Sequence, residues 1–193
     1  MRRVFVTGAS CNGKSTLARA LAERLGVPYT ELDALHHGPN WTEASAGELR
    51  ERVEAVMGAS DGWVIDGGYR GKLGDLVWER ADAVVWLDLP LPLILGRLVR
   101  RTHGRIRRGE ELWNGNRESW RNMFWGWDKL FPWTVRAHFR HRREYPALME
   151  RFNVVRLRSA REVQALLDGA AAGQLSATRS SVRGSNSSSS SCS

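Results

Sequence analysis

The chain has 193 residues, with 29 Lys and Arg against 21 Asp and Glu, a formal net charge of +8 and 42% hydrophobic residues. That length suits one domain with a full core and leaves little room for a second. The chain has no apolar stretch of about 18 residues, the apolar run after Met1-Arg2-Arg3 is too short for a signal peptide, and Cys11 and Cys192 make no disulfide framework, so a soluble cytoplasmic protein is expected.

Arg3 to Thr7 reads as a strand, and it opens directly into Gly8-Ala9-Ser10-Cys11-Asn12-Gly13-Lys14-Ser15-Thr16, a G-x-x-x-x-G-K-S run. A helix from Lys14 to Leu25, closed by Gly26, follows. Strand, glycine loop and helix in this order make a phosphate-binding loop. Gly8 and Gly13 permit backbone angles that a side chain forbids, the N–H groups between them turn inward on phosphate oxygens, and the helix start adds its positive dipole end. Lys14 then neutralises the β- and γ-phosphates, and the Ser15 hydroxyl ligates Mg²⁺. All nine residues from Gly8 to Thr16 are candidates for contact with ATP, with Cys11 read as a small residue that fills the loop.

Pro28 to Asp33 reads as a second strand, and Thr42 as the N-cap of a helix reaching about Met57. Trp63 to Asp66 is a third strand ending at Gly67-Gly68, Lys72 to Arg80 a helix, and Ala83 to Asp88 a buried fourth strand. Pro90 opens a helix that runs into an arginine-rich segment. Strands alternating with helices predict an α/β fold with a parallel sheet and ligands at the carboxyl ends of its strands. Asp33, Asp66 and Asp88 each close a predicted strand on that edge.

Residues 103–118 carry glycine and charge without an apolar period, the pattern of a mobile, arginine-rich lid. Trp113, Trp120, Trp125, Trp127 and Trp133 are read mainly as helix packing onto the sheet. Trp133 to Met149 reads as a basic helix, Asn153 to Leu157 as a fifth strand and Ala160 to Ala172 as a last helix. From residue 173 the composition turns to Ser, Gly and Ala, as in a disordered tail. The predicted organisation is one domain over 1–172 and a tail over 173–193.

Arginine concentrates in Arg97 to Arg108 and in Arg136 to Arg143, whereas the first 96 residues are roughly balanced. Such clusters suit the phosphates of a small bound molecule as well as those of a polymer. A nucleic-acid partner is not favoured, because no helix-turn-helix, zinc-finger or RNA-recognition signature accompanies the charge.

With the loop, the strand-end aspartates and the arginine cluster together, the chain resembles the P-loop kinases of small molecules, the adenylate kinase-like and shikimate kinase-like group. Within that group it looks most like the bacterial DNA topology modulation (FlaR-like) proteins. Leu32-Asp33-Ala34-Leu35-His36, Ile65-Asp66-Gly67-Gly68-Tyr69, and Glu79-Arg80-Ala81-Asp82 running into Trp86-Leu87-Asp88-Leu89-Pro90 carry the closer resemblance, over roughly residues 3–160. It implies a three-layer P-loop NTPase sandwich with a five-stranded parallel sheet in the order 2-3-1-4-5. Asp66 then lies beside the loop strand and holds Mg²⁺ together with Ser15, unless it caps the Gly67-Gly68 turn; Asp88 ranks second for the metal, or caps a helix. Asp33 is the candidate that orients or deprotonates an acceptor hydroxyl, against a turn role. His36 is a candidate substrate contact, although a solvated loop histidine is the more usual outcome.

Asp66-Gly67-Gly68-Tyr69-Arg70 matches the D-G-x-x-R arrangement by which nucleoside monophosphate kinases place an arginine on the acceptor phosphate, which makes Gly67 and Arg70 substrate-side candidates. The pattern then departs from those kinases. Gly71-Lys72-Leu73-Gly74 supplies no glutamine to read an acceptor base, and Asp33 stands where they use T-G-x-x-x-R, which argues against AMP as acceptor. Arg97 and Arg101 are four residues apart and share a helix face; the resemblance puts Arg97 on adenine and Arg101 on the donor phosphates, with Arg105, Arg107 and Arg108 on the lid. The expected function is an Mg²⁺ATP-dependent phosphotransferase in which Lys14, Asp33 and Arg101 are catalytic and the acceptor is an unidentified small molecule. The alternatives are a nucleotide-regulated, DNA-binding protein that modulates topology, and a simple ATP hydrolase.

Overall fold

The computed structural model describes residues 1–109, 111 and 130–171. Strands β1 (Arg3–Gly8), β2 (Tyr29–Glu31), β3 (Trp63–Asp66), β4 (Ala83–Leu87) and β5 (Val154–Leu157) form one sheet in the order 2-3-1-4-5. Every pairing in it is parallel, as expected.

Both faces of this sheet are covered, and the period-two alternation of its strands shows how. Phe5, Trp63, Ile65, Val84 and Trp86 enter one core cluster, while their neighbours Val4, Val6, Val64, Val85 and Leu87 enter the other. Helices α3 (Ala46–Gly58), α4 (Arg70–Leu73), α5 (Leu76–Arg80) and α7 (Leu130–Arg151) cover the first face through Leu49, Val53, Leu73, Trp78, Tyr145 and Leu148. Helices α1 (Lys14–Leu25) and α8 (Ala160–Ala171) cover the second through Leu17, Leu21 and Leu167. Trp78 meets Phe5 and Tyr145 edge-on, at 5.8 and 5.2 Å between ring centroids.

Several boundaries differ from the predicted ones, each for a local reason. β2 stops at Glu31, and Asp33 sits in a short helix, α2 (Leu32–His36). That turn is anchored by Leu32, which is fully buried and packs so closely on Gly67 (φ 154°) that a Cβ there would stand 2.7 Å from the Leu32 side chain. α3 is capped by Ser45 rather than Thr42: Ser45 and Glu48 form a capping box, which satisfies two orphaned amides where a lone threonine satisfies one. The Thr42 hydroxyl instead donates to the Pro39 carbonyl, at 2.9 Å. The helix expected over Lys72 to Arg80 is broken into α4 and α5 at Gly74, whose φ of 62° no right-handed helix contains.

Helix α6 (Leu91–Arg108) runs through the first six residues of the expected lid before Gly109 ends it in a left-handed C-cap. Arginine is among the good helix formers, so a charged stretch without apolar period still extends the helix. The rest of that lid apart from Gly109 and Glu111, the tryptophans at 113, 120, 125 and 127, and the tail lie outside the described residues. Trp133, half exposed, stands on α7 and lines the cleft described next rather than either core cluster.

Candidate nucleotide and acceptor site

Because β2, β3 and β1 are adjacent and parallel, the loop after β1 and the acids that end or follow β2 and β3 lie at one edge. Register places Val6 beside Asp66 and Asp66 beside Glu31. A cleft of about 1830 Å³ opens there.

The loop between β1 and α1 is held by its own chemistry. Gly8 has a φ of 148°, and a Cβ on it would stand 2.6 Å from the Leu87 carbonyl oxygen. The Asn12 side chain donates to that same carbonyl at 2.8 Å, which ties the loop to β4. Cys11 packs against Ala9, Leu89 and Ile94, in keeping with a residue that fills the loop. The Lys14 ammonium donates to the Ala9 carbonyl at 3.1 Å and so lies folded over the loop, where phosphates would meet it. Gly8, Ser10, Cys11, Gly13, Lys14, Ser15 and Thr16 all line the cleft, whereas Ala9 and Asn12 are buried beneath it.

Asp66 ends β3 with only 1% of its surface exposed. Its Oδ1 accepts from the Tyr29 hydroxyl at 3.3 Å, and its Oδ2 is buried without a hydrogen-bond partner among the described residues. Burial pushes this carboxyl up to about 6, with the Ser15 hydroxyl and the Lys14 charge pulling the other way. Glu31, which the sequence reading passed over, accepts from the Ser15 hydroxyl at 3.1 Å. An orphaned carboxylate oxygen, a second carboxylate and a hydroxyl fit Mg²⁺, a hard cation that takes few protein oxygens and completes its shell with water and phosphate. Among the described residues no group of three or more His, Cys, Asp or Glu could hold a metal by itself.

Asp88 is excluded from that role. It is 2% exposed and is held by Arg142 at 2.8 Å and by Arg156, whose guanidinium also stacks on Trp86 at 4.4 Å. It caps no helix either; Pro90 is the N-cap of α6 and there is no side-chain cap. Asp88→Ala is expected to destabilise the fold by about 2 kcal/mol in urea unfolding, since it strands two partly exposed guanidinium groups, without changing the Mg²⁺ dependence of nucleotide binding.

From α2, α4 and the residues that cap them, the cleft is lined by Asp33, His36, His37, Tyr69, Arg70 and Lys72. The Tyr69 hydroxyl donates to Asp33 Oδ1 at 2.6 Å and stands 3.2 Å from His37 Nε2. His36 is buried, not a solvated loop residue: its Nε2 lies 3.3 Å from Glu43, and burial, then the Lys72 charge, holds its pKa below the ordinary value. Two cations here face carboxylates, Arg70 with Asp75 at 2.8 Å and Lys72 with Glu43 at 2.9 Å, while Arg19 of α1 pairs with Glu31 at 3.8 Å on the loop side.

α6 contributes a different set of groups. α6 lines the cleft with Arg97, Arg100, Arg101, Arg105 and Arg108, and a Cβ on Gly13 would lie 3.9 Å from the Arg97 guanidinium. α7 adds His141 and Tyr145, which sequence spacing did not single out. Tyr145 hydrogen-bonds Thr7 at 3.0 Å, and His141 stacks on it at 4.4 Å between centroids. Burial pulls His141 down to about 3, so it is neutral at physiological pH.

A parallel sheet in the order 2-3-1-4-5 with a glycine loop between β1 and α1 matches, at a TM-score of 0.53, a shikimate kinase from Acinetobacter baumannii solved with shikimate, over 91% of this chain and 96% of that one at 16% identity. The fold is that of the P-loop NTPases. No family model matches the chain. Its sequence is 29% identical over 112 residues to a shikimate kinase from Sulfurihydrogenibium sp. and 32% identical over 107 residues to one from Gloeobacter violaceus. Those stretches span 51% and 49% of this P-loop protein, and 67% and 60% of the two relatives. Among its described residues no helix is long and apolar enough to cross a membrane.

Proposed function

We propose that this P-loop protein is an Mg²⁺ATP-dependent phosphotransferase that moves the γ-phosphate of ATP to a hydroxyl group of a small molecule. One observation carries the reading: a single cleft holds a phosphate loop with two acids near its Ser15, the arginines of α6 and an Asp33–Tyr69 pair. The likeness to shikimate kinases supports the same class of reaction. We further infer a kinship with the DNA topology modulation (FlaR-like) proteins and a cytoplasmic setting.

The loop amides from Gly8 to Thr16 and Lys14 hold the β- and γ-phosphates, and Arg97 covers the adenine side. Ser15, Asp66 and Glu31 hold Mg²⁺, which when bound screens the phosphate charges. Arg101 compensates charge that develops on the transferring group. At the acceptor end Tyr69 occupies Asp33 Oδ1 and leaves Oδ2 to take the proton of the attacking hydroxyl, while ADP departs on the loop side. His36, Gly67 and Arg70 complete that end: Gly67 by allowing Leu32 close enough to place Asp33, Arg70 from a position braced by Asp75.

An ADP-release screen of hydroxyl compounds with Mg²⁺ATP, run beside thermal shift, tests the reading. A compound that both stabilises the fold and accelerates ADP formation is the expected result. ADP formation that no acceptor accelerates identifies a hydrolase instead.

A further inference from the structure

On α7 His141 and Tyr145 are four residues apart and so share a helix face. Their rings stack at 4.4 Å between centroids, with 21° between the planes. Tyr145 has little freedom under that stack. It meets Trp78 and Trp86 edge-on at 5.2 and 5.0 Å, and its hydroxyl shares a hydrogen bond of 3.0 Å with Thr7, the residue before Gly8. One ring contact and one hydrogen bond therefore fix the imidazole relative to the phosphate loop.

His141 is only 5% exposed, yet it lines the cleft together with Lys14. Among the described residues neither of its ring nitrogens has a hydrogen-bond partner. A buried imidazole whose donor and acceptor both go unused calls for an explanation, and a ligand in the cleft supplies one. The charges around the ring suit an anion. Burial pulls His141 down to about 3, Arg140, Lys14 and His138 press the same way, and only Asp88, itself engaged by Arg142 and Arg156, opposes them. The ring thus offers an anion a hydrogen bond rather than a charge.

What else this face of α7 meets gives its place along the cleft. Lys14 belongs to the donor loop. On the acceptor side Asp75 joins Arg70 to Arg151 of α7, at 2.8 and 3.1 Å. Burial, aided by Glu144, pushes the Tyr145 hydroxyl up to about 12, and the bond to Thr7 and the charges of Arg140 and Arg70 oppose it. The stacked pair is therefore within electrostatic reach of both Lys14 and Arg70. The group that passes between those two cations in a phosphoryl transfer is the γ-phosphate.

We propose that His141 donates a hydrogen bond to the γ-phosphate of bound ATP and is a further catalytic residue beside Lys14. This deepens the phosphotransferase reading and rests on it for the passage from the loop toward Arg70. The donor is in place before the nucleotide arrives, so no reorganisation is needed as charge spreads over the phosphoryl oxygens.

Calorimetric titration of the full chain with ADP and with a β,γ-imido analogue of ATP, both with Mg²⁺, tests the proposal without turnover. His141→Phe keeps a ring on Tyr145 and deletes the donor. It should weaken the analogue about 10- to 100-fold, the range for one hydrogen bond to a charged group, and change ADP less than about 3-fold. His141→Gln loses the ring but keeps an N–H, and should recover most of the analogue's affinity. A residue that only packs on Tyr145 gives the reverse order, with Phe close to the parent and Gln impaired. That order, equal losses for both nucleotides, or failure of the parent chain to bind either one overturns the proposal. If Phe loses the analogue selectively but no hydroxyl compound takes up phosphate, His141 keeps its place at the γ-phosphate and the phosphotransferase reading falls. Transfer to a hydroxyl compound by a folded His141→Phe protein with parental affinity for the analogue does the reverse.

Discussion

Lys14→Ala is expected to lower ATP turnover by at least about 10²–10³-fold, the range measured when a preorganised donor to developing charge is removed, while the protein stays folded. Among the described residues the ammonium donates only to the Ala9 carbonyl, at the rim of an open cleft, so truncation creates no cavity, although it removes a charge that partly offsets the burial of the Asp66 carboxylate. Stability in urea should therefore fall by no more than about 1 kcal/mol from the parent. A folded Lys14→Ala protein with parental turnover would contradict the assignment of the loop to the donor phosphates.

Asp66→Asn should do two opposite things. The carboxyl at the end of β3 is shifted by burial from 3.8 to about 6, which corresponds to about 3 kcal/mol of unfavourable interaction for the charged form, as an upper figure. The folded chain holds this proton more tightly than the unfolded one, so the carboxyl withdraws stability as pH rises from about 4 to about 6 and the whole penalty stands above that window. In the nucleotide-free protein Asn removes the penalty, keeps an acceptor for Tyr29, and is expected to raise stability at pH 7.5 by up to about 3 kcal/mol while flattening its decline between pH 4 and 6. The same change takes the buried charge from beside Ser15, so Mg²⁺-dependent nucleotide binding and turnover should fall about 10²-fold or more. Urea unfolding at several pH values, paired with nucleotide titrations with and without Mg²⁺, reads both arms. A destabilised apo variant at pH 7.5, or parental turnover, contradicts this role.

The donor half of the site was legible because it is contiguous. Gly8 to Thr16 need only their own backbone geometry and the strand and helix that flank them, and β1 and α1 stand where the apolar run and the Gly26 stop place them. The central strands β1, β3 and β4 were legible because strands buried on both faces read as short apolar runs. The acids were harder. Asp66 and Asp88 look alike in sequence, each closing a strand, and only the arrival of Arg142 and Arg156 from 54 and 68 residues away separates a neutralised structural acid from one with an orphaned oxygen.

Glu31 was missed because its meaning depends on register: nothing local distinguishes it until β2 pairs with β3 and sets it beside Asp66. The Glu31-Leu32-Asp33 spacing, two acids flanking a residue destined for the core, was the available signal. His141 and Tyr145 reach the cleft through the return of α7 across the sheet, which no local pattern encodes.

The fate of the γ-phosphate tests the central claim most directly. With γ-labelled ATP, Mg²⁺ and small hydroxyl compounds as acceptors, the account predicts label transferred to an acceptor hydroxyl in step with ADP formation, and loss of that transfer in Lys14→Ala. Label released only as inorganic phosphate, at a rate that no acceptor alters, would contradict it.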